Sequence, residues 1–128
     1  MQKLKTHRLG DLQLRIMKAL WQSGEATVSQ VLQALPTDAE LAYTTVATML
    51  RKMETRGLVA HRVEGRSFIY RARLPEAEVS RSMADHLVDR IFEGSLTEAV
   101  SHLLRTREVS REELSKLERL ITERKKRS

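Results

Sequence analysis

The sequence predicts a mainly α-helical chain with one small β-hairpin, organised as an amino-terminal module over residues 1–74 and a helical region over residues 75–128. Three observations predict it. Apolar residues make up 41% of the 128 residues but aromatics only 4%, so the core has to come from Leu, Val, Ala, Met and Ile, mostly at helical spacing. A single segment, 58–72, switches to a period of two around a glycine-bearing turn. Charge is also segregated: the net +6 lies entirely before Pro75, where 12 basic side chains face 6 acidic ones, against 11 of each afterwards.

Taken in order, Asp11 is read as the cap of a first helix. Its Leu12, Ile16 and Leu20 recur every four residues with Met17 and Trp21 beside them, and Ser23-Gly24 ends it. Thr27 caps a second helix that places Val28, Val31, Leu32 and Leu35 on one side and stops at Pro36. Both are short and amphipathic, so each needs the other. The third helix runs from about Ala42 to Arg56, with Val46, Met49, Leu50 and Met53 as its core stripe and Gly57-Leu58 as a glycine C-cap with its apolar follower. Left outside are Thr44, Thr45, Thr48, Arg51, Lys52 and Thr55, with no acid before Glu54. A merely solvated helix favours mixed Glu and Lys, which are better helix formers than threonine. That face therefore points to a contact surface.

Leu58–Val63 and Phe68–Ala72, joined through Glu64-Gly65-Arg66-Ser67, read as a hairpin that must pack on the helices, with Arg62, Arg66 and Arg71 on its turn and flanks. Beyond Pro75 the period is helical, with helices expected at about 76–92, 95–104 and 111–126. Gly94 separates the first two, and Ser110 with Glu113 has the form of a capping box. Their stripes are Val79, Met83, Leu87 and Ile91, then Leu96, Val100, Leu103 and Leu104, then Leu114, Leu117, Leu120 and Ile121. The region holds 18 apolar residues among 54, a thin core for an independent unit, and pairing with a second copy would complete it.

Three helices and a hairpin make a helix-turn-helix module extended by a wing. A helix of about 15 residues is roughly 22 Å long and fits the major groove of B-DNA, about 12 Å wide. Threonine can hydrogen-bond a base or phosphate and touch a thymine methyl, and arginine can pair with guanine or anchor a phosphate.

The segments LGDLQLRIMKALWQSGEATVSQVLQAL, AYTTVATMLRKMETRGLV and HRVEGRSFIYRARL resemble the BlaI/MecI-type penicillinase repressors, winged-helix transcription factors of bacteria, from about Leu9 to Glu123. The resemblance implies a repressor that binds a pseudo-palindromic operator as a homodimer. It places the recognition helix at Tyr43, Thr44, Thr45, Thr48 and Arg51 and the wing at Glu64 to Ser67; Lys52, Arg62 and Arg66 join the DNA-binding set through their charge. Ala47 stands where some members carry a basic residue, so the operator sequence does not carry over. Dimerisation is implied for the stripes beyond Pro75, Leu120 aside. A membrane-bound sensor metalloprotease is the implied partner that leads to cleavage in this region, and the position matching the Asn-Phe cut of some members is His102-Leu103.

Absence of cysteine excludes disulfides, thiolate metal sites and the copper-sensing branch of the family, and suits a reducing cytoplasm. No signal peptide or membrane span is expected. His86, Asp89 and Glu93 read as a salt-bridged face rather than a metal site, His7 and His61 as isolated, and the basic run after Glu123 as a helix end favoured by the macrodipole. No nucleophile elbow, HExxH or glycine-rich phosphate loop is present, so the chain is expected not to be an enzyme and to need no cofactor. The competing readings are a winged-helix protein-interaction module and a ligand-responsive regulator of the multiple-antibiotic-resistance (MarR) type. The latter usually has dimer helices on both sides of its DNA-binding part.

Overall fold

The computed structural model describes residues 9–35 and 41–128, which leaves Pro36 and His7 outside the described residues. In chain order the elements are α1 (Asp11–Ser23), β1 (Ala26–Thr27), α2 (Val28–Ala34), α3 (Tyr43–Thr55), β2 (Val59–Glu64), β3 (Ser67–Ala72), α4 (Glu76–Ile91), α5 (Leu96–Thr106) and α6 (Arg111–Arg127). The described residues fall into two compact units that divide between Asp85 and His86.

In the first unit, Ile16, Met17 and Leu20 of α1, Val28 and Val31 of α2, Val46, Leu50 and Met53 of α3, and Leu58, Val59 and Tyr70 of the sheet region form one buried cluster. All four residues of the expected α3 stripe turn inward, with Met49 partly covered at its edge. Glycine makes the exit from α3 possible. Gly57 sits at φ +81, its N–H donates to the Glu54 carbonyl and that of Leu58 to the Met53 carbonyl, so two free helix-end carbonyls are satisfied while the chain reverses directly into β2.

The N-termini follow the expected chemistry with one correction. Thr27 caps α2, its Oγ1 accepting from the Gln30 N–H at 3.2 Å while the Gln30 side chain accepts from the Thr27 N–H at 2.8 Å. Asp11 does not cap α1. Gly10 is the cap residue, its N–H donating to Gln13 Oε1 at 3.2 Å, and Asp11 lies inside the first turn, where its charge complements the helix dipole.

The hairpin is part of a three-stranded antiparallel sheet in the order β1-β3-β2. β1 pairs Ala26 with Tyr70 and Thr27 with Ile69, which ties the start of α2 to the wing. Val59, His61 and Val63 of β2 lie opposite Ala72, Tyr70 and Phe68 of β3. Gly65, at φ +61, takes the first position of the two-residue turn, where a tight hairpin needs a positive φ. At the other end of β3, Trp21 Nε1 donates to the Leu74 carbonyl at 2.8 Å and fastens the strand exit to α1.

In the second unit, Ser95 and Ser110 cap α5 and α6, each accepting from the N–H three residues on at 3.1 Å. Among residues 86–128 only Ala99 is buried. Leu87, Ile91, Leu96, Val100, Leu103, Leu104, Leu114, Leu120 and Ile121 are exposed, Ile91 and Leu96 by 65% and 68%. Leu117 is partly covered, as is Met83 in the first unit. Val79, read with the same stripe, is only 1% exposed, so its own chain already covers it.

Candidate nucleic-acid interface

α3 is a 13-residue helix, about 20 Å long, whose core stripe fixes its roll about its axis. With Val46, Leu50 and Met53 turned inward, Thr44, Thr45, Thr48, Arg51, Lys52 and Thr55 are all exposed. Tyr43 stands at its amino-terminal end, half exposed. Arg51 Nη2 lies 3.4 Å from Thr48 Oγ1, and Thr55 Oγ1 donates to the Arg51 carbonyl at 3.1 Å. The guanidinium therefore lies along the outer face of α3 beside a hydroxyl.

A cleft of about 380 Å³ opens between this face, the start of α2 and the wing. Its walls bring together Tyr43, Thr44, Thr48 and Arg51 of α3, Arg66 and Ser67 at the wing tip, and Thr27 and Ser29. Phe68 and Tyr70 also line it. Burial raises the Tyr70 phenol above its ordinary value and the Glu54 carboxylate adds to this, so the hydroxyl stays neutral. Two arginines and several hydroxyls converge on one concave surface with no carboxylate among its lining residues. That arrangement suits a phosphodiester strand and exposed base edges.

Three residues of the expected DNA-binding set lie outside the cleft. Thr45 and Lys52 are exposed on α3 beyond its walls. Arg62 is engaged within the protein, its Nε and Nη2 donating to the two carboxylate oxygens of Glu25 at 3.1 Å each, while Nη1 donates to Glu64. This fork-to-fork pairing raises the Arg62 pKa further and holds Glu25 below its ordinary value of 4.5, with some additional attraction from Arg71. A depressed carboxylate contributes stability that is complete above pH 4.5 and is lost as pH falls through the lower folded value. The Arg62 Nε–H resonance is therefore expected to report an intact pair at neutral pH and to collapse toward solvent only in acid below 4.5. Collapse between pH 6 and 8 would refute this.

His61 is not isolated. Its Nδ1 lies 2.7 and 2.9 Å from the two carboxylate oxygens of Glu54, and its ring stacks on Phe68 with centroids 4.2 Å apart and planes 14° from parallel. An ionised carboxylate only accepts, so Nδ1 carries the proton. Sequence reasoning missed Glu54, Glu25, Ser29 and Phe68. The available signal for Glu54 was that it is the one acid on α3 and stands seven residues before His61, across the reversal at Gly57.

Among the described residues no cluster of His, Asp or Glu could hold a metal ion, and no helix is long and apolar enough to cross a membrane.

The chain is similar over nearly its whole length to known repressors. The penicillinase repressor family model matches residues 9–123. The penicillinase repressor of Bacillus licheniformis is 26% identical over 123 residues, covering 96% of both chains. The transcriptional regulator BlaI of Mycobacterium tuberculosis is 35% identical over 121 residues, covering 93% of this chain and 86% of that one. Among solved structures, the antimony-specific transcriptional repressor AntR is similar at a TM-score of 0.47 and 19% identity, over 67% of this chain and 73% of that one. Matched along nearly its whole length, and with three helices and a wing in the order described, this chain belongs to the penicillinase repressor family of transcriptional repressors.

Proposed function

We propose that the protein is a cytoplasmic repressor that binds a pseudo-palindromic operator as a homodimer, laying α3 in the major groove of each half-site with the wing arginine against the adjoining backbone. The observation that carries this reading is the cleft, where the acid-free face of α3 meets Arg66. Selection of duplexes from a random library, followed by fluorescence anisotropy, tests it. Arg51→Ala is expected to lower specific affinity by about 1–3 kcal/mol, roughly five- to 150-fold, without changing the melting temperature. The logarithm of the affinity should fall linearly with the logarithm of salt concentration. Binding that is insensitive to salt, or no selected duplex at all, refutes the reading.

Release is proposed to follow cleavage in the dimerising region at His102-Leu103, triggered by a membrane-bound sensor metalloprotease. Those residues lie inside α5, where the His102 carbonyl accepts from Thr106 Oγ1 at 2.8 Å and the Leu103 carbonyl from the Arg107 N–H at 3.1 Å. A protease reads extended backbone, so a cut there requires local opening of α5.

A further inference from the structure

We propose that Glu54 and His61 are positioning residues for DNA binding: together with the Glu25–Arg62 pair they fix the wing against the recognition helix. This rests on the DNA-binding reading above. From Arg62 through Phe68 every residue is exposed, so no buried side chain sets the angle at which the wing tip stands. The sheet beneath is anchored at Val59 and Tyr70, both buried. Between anchor and tip lie two consecutive residues of β2 whose side chains point to opposite faces, as the pleat dictates. On one face His61 reaches Glu54 of α3 and stacks on Phe68, and on the other Arg62 forks onto Glu25, which precedes β1. The hairpin is thus held from both sides at its root, once to the helix that carries Thr48 and Arg51. Arg66 sits on the far end of the lever.

Neither pair is in the cleft itself, and neither Glu54 nor Glu25 could attract a phosphate. Their effect on DNA binding therefore runs through Arg66. With the root held, Arg66 is presented to the backbone beside α3 at little further cost in freedom. With the root released, ordering the wing is charged against binding, an effect on the order of three- to tenfold for one or two ordered side chains.

The test uses the full chain and a duplex selected by the unmodified protein, with affinity read by anisotropy and folding by thermal melting. Glu54→Ala and His61→Ala are each expected to weaken binding about three- to tenfold, and the double variant by no more than either alone. Glu54→Gln, whose amide oxygen still accepts from Nδ1–H, should stay within about twofold of the unmodified protein. Most diagnostic is Arg66→Ala, which should cost less in the His61→Ala background than in the unmodified chain, although nothing in the proposal needs the two side chains to touch. Additive losses of His61→Ala and Arg66→Ala overturn the proposal, as do losses that vanish once affinity is corrected for the folded fraction. Failure of the unmodified protein to select any duplex would instead strike the DNA-binding reading itself.

Discussion

Replacing Leu114 and Ile121 together by aspartate is expected to leave the protein monomeric and to weaken its binding to a palindromic duplex by about 10²–10⁴-fold. The two side chains stand seven residues apart on one stripe of α6, a helix that buries none of its residues within its own chain. Exposed in the single chain, they can be changed without opening its core, so helix content should be retained. In the proposed dimer the same positions are covered by a second copy, and an aspartate buried there without a partner costs several kcal/mol. The loss in DNA affinity is larger than any one contact could give because the second half-site is bound at the effective concentration set by the first. Sedimentation equilibrium reads the assembly, and two duplexes separate the causes. Binding to a single half-site should be nearly unchanged, while binding to the palindrome falls to that level. A double variant that still sediments as a dimer would move the interface off this stripe of α6, and a monomer that holds the palindrome as tightly as before would remove the dimer from the proposed function.

How much of this was legible in the sequence depends on the range of each interaction. The caps at Thr27 and Ser110 and the glycine exit at Gly57 are set by residues within a few positions of one another, and local spacing reveals them. The outer face of α3 was readable for the same reason, since a helical period sorts inward from outward positions without knowledge of what lies opposite. β1 was not readable, because two residues carry no period and become a strand only when Tyr70 and Ile69 are brought beside them. Asp11 was read as a cap because aspartate favours that position, yet Gly10 with Gln13 behind it closes the turn one residue earlier. Arg62 shows the limit most clearly. As an isolated cation on a wing it reads as a DNA contact, and only the fold brings Glu25, 37 residues away, onto its guanidinium. Glu54 and His61 are closer in sequence, but their pairing depends on the reversal between α3 and β2, which turns one helix face toward one strand face.

Leu50→Ala is expected to destabilise the first unit by about 2–5 kcal/mol, the range for removing a large buried aliphatic group and leaving a partly collapsed cavity. Leu50 is 0% exposed and sits midway along α3 between Val46 and Met53, in the cluster that also contains Val31 of α2 and Ile16 of α1. Against a typical domain stability of about 5–15 kcal/mol, this is a large fraction. In a module of this size each kcal/mol moves the melting midpoint by about 4–8 °C, so the midpoint should fall by roughly 10 °C or more. The consequence for DNA binding differs in kind from that of Arg51→Ala. Leu50 is buried and is not among the residues that line the cleft, so molecules that remain folded keep Thr48 and Arg51 in place, and the affinity lost on warming should return on cooling in step with the folded fraction. Arg51→Ala should show the reverse, a full melting transition with weakened binding at every temperature. Plotting affinity against folded fraction for both variants separates the side of α3 that builds the surface from the side that is the surface. A Leu50→Ala protein that melts normally yet binds weakly would mean that the inward stripe does more than hold the helix.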